Sequence, residues 1–279
     1  MKSLKVTGKT LRSAGRWDID YHLPAEGIQR YPAEVLQRVD SAADVIKTKR
    51  DPTKKPDESF AYIDIASVDV LTGEISNPQE LTGAEAPSRA RKVVHAYDII
   101  ISTCRPTRGA IAVIPEELHG QICSTGFSVI RAKPEVNPYF LHFVLRLDST
   151  LEQFRKWSTG SSYPAILDED VAKTKIPLPC ADAQDEVAKQ VRTAQRARAM
   201  AIEAANNTFQ ASIASAIKAI ESNDAGFKGD AHCDGEVLYS LQQITERLAS
   251  LVPVEEEPDE NMESYLFDEV EEDEPVAET

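Results

Sequence analysis

Several kinds of site are missing from this chain, and each absence removes a class of function. Cysteine is scarce: Cys104, Cys123, Cys180 and Cys233 stand far apart, with no CxxC spacing. A disulfide framework and a zinc site are therefore disfavoured, and free thiols in a reducing cytosol fit best. No GxxxxGK followed by Ser or Thr is present, which argues against ATP hydrolysis. His22, His95, His119, His142 and His232 are scattered, without HExxH, HxH or a Cys/His nucleophile pair. Asp64 and Asp69 are not followed by the Glu-x-Lys of a nuclease site, so they read as strand and turn residues. No apolar run approaches the ~18 residues of a membrane-spanning helix. The opening MKSLKVTGKTLRSAGRW lacks the apolar stretch of a signal peptide.

A basic surplus is also missing, but its absence misleads. The formal net charge is −15, yet 13 of the 46 acidic residues fall within 255–278, a stretch with no Lys or Arg. That leaves 33 acids against 31 bases in the rest. The body is near neutral, so a polyanionic partner is decided by how charge is distributed over its surface.

What is present begins with short strand-like runs. A strand is expected at Leu4 and Val6, and the loop after it ends in RWDIDYHLP. Val35, Leu36, Val39, Ala42, Ala43 and Ile46 lie at helical spacing. TKRDPTKKPDES is polar and proline-broken, hence a loop. AYIDIASVDVLTGEI reads as a strand followed by a turn at Thr72-Gly73. Further strands are expected at 98–103, 109–114 and 120–131. Residues 138–156 read as one helix, with Pro138 in its first turn and Phe140, Phe143, Val144 and Leu147 on one face.

From Ala183 to about Ser222 there is no Gly or Pro. Asp182 is a plausible N-cap. Val187, Val191, Ala194 and Ala201 form one stripe, while Ile202, Phe209, Ile213, Ile217 and Ile220 form a second. Some 40 residues at about 1.5 Å each reach roughly 60 Å, too long to bury both stripes on one small domain. Such a helix should pack on another long helix. The alternative is two helices with a break near Asn206-Asn207. A glycine-bearing linker and a short amphipathic helix (Leu238, Leu241, Ile244, Leu248, Leu251) follow. Beyond Pro253 the acidic composition predicts disorder.

Two segments carry candidate binding chemistry. Arg105-Pro-Thr-Arg108 lies between probable strands, where arginines suit phosphate contact and bidentate guanine readout. Ser158-Thr-Gly-Ser161-Ser162-Tyr163 offers hydroxyls, a glycine and an aromatic that could grip phosphate. Arg89, Arg91 and Lys92 form a small basic cluster, echoed by Arg155-Lys156 and Lys173/Lys175. The bland reading of each is a solvated loop. Asn137-Pro-Tyr-Phe140 is similar to the Asn-Pro-Pro-Tyr motif of amino-group DNA methyltransferases. It lacks the second proline and a glycine-rich cofactor loop, so it reads as a helix start.

Taken in order, RWDIDYHLP, AYIDIASVDVLTGEI, ARKVVHAYDIIISTCRPTRGAIAV, CSTGFSVIRAKPEVNPYFLHFVL, GSSYPAI and IPLPCADAQDEVAKQV resemble the specificity subunit of type I restriction–modification systems, over about residues 16–220. The resemblance implies a mixed α/β (α+β) fold with curved sheets and flanking helices. It implies a target-recognition domain at 1–180, a long coiled-coil-like helix at 181–222, a linker with a short helix at 223–252, and an acidic disordered tail at 253–279. In that family each recognition domain reads half of a bipartite DNA site, and the long helices set the half-site separation. The subunit has no catalytic activity, and S-adenosylmethionine belongs to the methyltransferase partner. The implied partners are double-stranded DNA, a modification methyltransferase and a restriction translocase.

By position, Arg105, Thr107 and Arg108 would face DNA, with Ser158, Ser161, Ser162 and Tyr163 in a second loop. The typical member has two recognition domains and two long helices, whereas this chain shows one of each and looks like a half-subunit. A homodimer is the expected form. Three alternatives remain: the recognition subunit of another phage-defence complex, a regulatory protein whose tail mimics DNA or docks a partner, and a degenerate methyltransferase or nuclease.

Overall fold

The computed structural model describes residues 5–14, 16–17, 19–23, 25–160 and 163–223, with the single positions 242 and 245. They fall into two units, 1–206 and 207–279. In chain order the elements are α1 (Gly8–Ala14), α2 (Ile19–His22), β1 (Leu36–Arg38), α3 (Val39–Ala42), β2 (Ala43–Val45), β3 (Ser59–Ile63), β4 (Val68–Asp69), β5 (Glu74–Ile75), β6 (Gln79–Thr82), β7 (Ala90–Val93), β8 (Ile99–Ser102), β9 (Ile111–Val113), β10 (Ile122–Ser124), β11 (Phe127–Ala132), α4 (Pro138–Leu145), α5 (Asp148–Trp157), α6 (Asp168–Lys173), β12 (Lys175–Pro177) and α7 (Ala181–Glu221).

Two four-stranded sheets organise the first unit. One has the order β6-β3-β10-β7, with β3 and β10 parallel. The other, β2-β11-β8-β9, is antiparallel throughout. Strand β8 explains why the sequence reads Ile99-Ile100-Ile101 without alternation. Ile99 and Ile101 join the core that includes Phe140, Leu141, Phe154 and Val171, while Ile100 joins the core with Ile63, Cys123 and Phe127. A strand covered on both faces has no polar side to show. A third small cluster, Phe60, Tyr62, Ala90 and Ile122, lies on the other face of the β3 sheet.

The structure departs from the local pattern in four places. The helix expected over Val35–Ile46 is instead β1, a single turn and β2. Pairing wins there: β1 joins β12, and β2 joins β11, both antiparallel. The run 120–131 divides at the 125–126 turn into β10 and β11, which belong to different sheets. The helix expected at 138–156 is two helices, because Leu147 is extended (φ −63°, ψ 145°) and starts α5. No strand forms at Val6, where α1 follows instead; Leu4 lies outside the described residues. So do 224–241, 243–244 and 246–279, including nearly all of the expected linker, the short amphipathic helix and the acidic tail.

Other readings agree with the fold. Asn137 starts α4, its side chain accepting from Tyr139 N (2.9 Å) and Phe140 N (3.1 Å). Asp64 caps a short turn through Ser67 N at 2.9 Å, and Asp69 accepts from Leu71 N at 2.8 Å. Helix α7 runs through Asn206 and Asn207 without a break. It begins at Ala181, so Asp182, expected as the N-cap, lies instead inside the first turn. Ala188 joins the core, with Val187 packed against it, so the start of the helix is spent in its own domain.

One buried ionisable group carries a pH consequence. His142 in α4 donates from Nε2 to the Ile111 carbonyl at 3.1 Å. Gly73 (φ 71°) passes so close that a Cβ there would sit 2.4 Å from that nitrogen. Burial, aided by the guanidiniums of Arg146 and Arg192, pushes the imidazole pKa down to about 4. An unfolded histidine titrates near ~6.5. The fold therefore favours the neutral ring: its contribution is complete above pH ~6.5 and is lost as pH falls towards about 4. The expected loss is about 3 kcal/mol across that window. Urea midpoints at pH 7.5, 5.5 and 4 should show this, and His142→Gln should flatten the slope. Parallel pH profiles for the two proteins would refute it.

Candidate nucleic-acid interface

Strand β8 ends at Ser102, and the chain then makes a tight excursion before β9. Two residues take left-handed backbone to do so: Arg105 (φ 49°, ψ 52°) and Gly109 (φ 73°, ψ 26°). Between them Pro106 is buried, while Thr107 and Arg108 are exposed. Glycine accepts a positive φ readily, whereas a non-glycine residue such as Arg105 does so only where its surroundings hold it there.

The holding contacts come from two other segments. Thr103 donates from both its backbone N (2.8 Å) and its hydroxyl (2.9 Å) to the Gly126 carbonyl, in the turn between β10 and β11. Ile166 N donates to Thr103 O at 2.9 Å, and Arg105 N donates to Pro164 O at 2.7 Å. Thr125 N in turn donates to Arg89 O at 2.8 Å. The segments 102–109, 124–126 and 163–166, together with Arg89 at the start of β7, are thus zipped into one edge.

The side chains on that edge are cationic and aromatic. The Arg105 guanidinium lies 4.8 Å from the centroid of the Tyr163 ring, which is 69% exposed. Stacking of this kind is worth ~0.5–1 kcal/mol at an exposed site and narrows the rotamers of a long side chain. Arg89 and Arg108 are exposed on the same edge. A planar guanidinium with fixed heading is the group best matched to a guanine edge or a phosphate.

The other residues expected here divide. Arg91 bonds Ala90 O at 2.8 Å and lies 3.6 Å from Asp51. Lys92 is buried, donates to Phe127 O at 2.6 Å and pairs with Asp168 at 3.9 Å. Its ammonium ties β7 to β11 and is withdrawn from the surface. Ser158 closes the end of α5 by donating to Phe154 O at 2.7 Å. Ser161 and Ser162 lie outside the described residues. Lys156 is buried, and Lys173 pairs with Asp170 at 2.6 Å while stacking on Trp157. Those lysines therefore do not join the Arg105 edge as free cations.

Sequence reading missed Lys49 and Arg50. Arg50 N donates to Arg91 O at 2.9 Å, and Lys49, Arg50, Lys54 and Lys55 line a surface hollow together with Phe60 and the carboxylates Asp51 and Glu58, the last paired with Lys55 at 2.6 Å. The signal was visible as TKRDPTKKP, but nothing local ties that loop to β7. On α7, Val191 is half-buried and Ala194 and Ala201 are exposed. Phe209, Ile213, Ile217 and Ile220 are also exposed, Phe209 at 60% and Ile220 at 79%. Among the described residues no helix is long and apolar enough to cross a membrane.

The unit is thus mixed α/β, ends in a long helix, and carries exposed arginines on an edge built from three loops. Residues 38–205 match the family described as type I restriction modification DNA specificity domain, and the chain belongs to that family. A curated relative, the type I restriction enzyme HindI specificity subunit of Haemophilus influenzae, is 29% identical over 129 residues, 44% of this chain and 27% of its own length. The crystal structure of the HsdS subunit from Thermoanaerobacter tengcongensis is 40% identical with a TM-score of 0.51, covering 64% of this chain and 48% of that one. A chain from a structural study of complex assembly and conformational transition of the type I R-M system is 36% identical with a TM-score of 0.53, covering 73% and 51%. This chain thus spans about half the length of the solved relatives and about a quarter of the curated one.

Proposed function

We propose that this chain is a non-catalytic DNA-recognition subunit that directs a partner adenine methyltransferase to a bipartite site. Residues 1–180 serve as the reading domain and 181–222 as the spacer and pairing helix. The observation that carries the reading is the zipped edge, where Arg105 is held by Pro164 O and Tyr163 and the joined segments also carry exposed Arg89 and Arg108. Phosphate contacts from arginine and lysine supply affinity that weakens with salt as counterions leave. Contacts to base edges supply selectivity, at roughly 1–3 kcal/mol for a good bidentate pair. The methyltransferase partner brings S-adenosylmethionine and flips the target adenine from the stack. The same assembly takes a restriction translocase as a third component.

A second copy supplies the second reading domain and the second long helix, so that the pair forms a symmetric reader whose half-sites are inverted repeats. The test is to co-express the chain with a type I modification subunit in a host without adenine methylation, then map methylated adenines. One motif of two inverted half-sites at fixed spacing is expected. No methylation, or a single continuous non-palindromic motif, overturns the proposal.

A further inference from the structure

The turn between β4 and β5 is held with more polar contacts than a surface hairpin needs. Arg146, at the end of α4, donates to the carbonyls of Val70, Leu71 and Thr72, each at 2.8 Å. Asp69 accepts from Leu71 N at 2.8 Å and from the Thr72 hydroxyl at 2.9 Å. Gly73 closes the turn with positive φ against His142, leaving no room for a side chain. The turn is rigid on the α4 side.

Helix α7 reaches this rigid turn with its own side chains. Gln195 donates to Thr72 O at 2.8 Å, the same carbonyl that Arg146 holds. Arg198 lies 4.0 Å from Asp69, and Arg192 stacks on Tyr139 at 4.5 Å. About three turns nearer its start, Gln184 accepts from Asn137 N at 3.1 Å and Asp185 from Asn137 Nδ2 at 2.8 Å. Residues 184, 188, 192, 195 and 198 follow the three- and four-residue steps of one helix face. The docked face beyond Ala188 is therefore polar and directional, whereas the apolar residues Met200 and Ile202 are exposed.

We propose that Gln195 and Arg198 are positioning residues: by gripping the Arg146-held turn they set the heading at which α7 leaves the reading domain, and so select the spacing between half-sites. The inference rests on the recognition reading above. Apolar contact alone would let a helix roll or pivot, because it has no preferred direction. A hydrogen bond to one fixed carbonyl, with an ion pair to one fixed carboxylate, does not. One base pair of spacer moves a half-site by about 3.4 Å and about 36° around the duplex, so a modest change in heading is read as a change in preferred spacer.

The experiment uses the full chain assembled with a type I modification subunit. Methylation is measured on DNA carrying the mapped half-sites with spacers from two base pairs short to two long. The wild-type complex is expected to favour one spacer, and Gln195→Ala with Arg198→Ala to reduce that preference at least about tenfold while still methylating. Arg198→Lys with Gln195 intact should keep most of it. Hydrogen exchange provides a DNA-free readout: amides of 189–199 should exchange faster in the double variant, with β8 and β11 unchanged. An unchanged spacer preference overturns the inference even if the variant is less stable, and so does unchanged exchange. A wild-type complex that methylates no bipartite site defeats the recognition reading first, and this inference with it.

Discussion

Arg105→Ala combined with Arg108→Ala is expected to lower the affinity of the assembled complex for its site about 30- to 10⁴-fold, with the fold intact. Each arginine that makes a bidentate contact contributes roughly 1–3 kcal/mol, and each phosphate contact adds to the salt slope. The two side chains sit at the rim of the edge rather than in a core, with Arg108 exposed and Arg105 half-buried against Tyr163. The backbone that places them is held through N–H and C=O groups the substitution leaves alone, Arg105 N to Pro164 O and Thr103 to Gly126 O. Binding measured at several salt concentrations separates the two contributions: loss of phosphate contacts flattens the slope, and loss of base contacts weakens the cognate site alone. An unchanged affinity would remove this loop from the interface. A large fall in thermal stability would mean that the residues act on the fold instead.

The second large effect concerns the helix. Phe209→Asp with Ile213→Asp is expected to turn a dimeric chain into a monomer at tens of micromolar, read by sedimentation equilibrium. Phe209 and Ile213 are exposed at 60% and 42%. Burying such side chains against a second copy is worth about 1.5–3 kcal/mol each, and a buried carboxylate adds its own desolvation cost. A combined loss of about 3–6 kcal/mol corresponds to a weakening of roughly 10²- to 10⁴-fold. Ala211, two positions from both Phe209 and Ile213, lies on the opposite side of the helix and is exposed. Ala211→Asp serves as a control that adds charge off the stripe. A wild-type monomer at ten micromolar, or equal dimerisation of the variant, would show that the stripe has another use.

Local signals were read well where they are local. Helix α7 needs only an uninterrupted run of helix formers: the residues predict it at 183–222, and it spans Ala181–Glu221. The helix start at Asn137-Pro-Tyr-Phe140, the turn at Thr72-Gly73, and strands β8 and β9 also follow from short motifs. The segment Val35–Ile46 misled because its apolar spacing fits a helix, yet both flanking strands have partners about 90 to 140 residues away in sequence, β11 and β12. Arg89, Arg105 and Tyr163 were each visible as chemistry, but their meeting depends on Thr125, Thr103 and Pro164, residues with no chemical signature of their own. Lys92 shows the opposite error. It sits in a basic cluster on paper, and in the fold its ammonium faces inward to Phe127 O and Asp168.

The amino-acid order by itself determined the near-neutral body, the long alanine-rich helix with its apolar stripes, and the arginine loop between strands, because periodicity and composition act within a few residues of themselves. Only the tertiary structure decided which cations share an edge, that Lys92 is spent inside, and that Gln195 and Arg198 reach a turn built more than a hundred residues earlier. The reason is physical: β pairing and side-chain docking join segments far apart in the chain, and their partners are selected by the whole packed arrangement rather than by any stretch read alone.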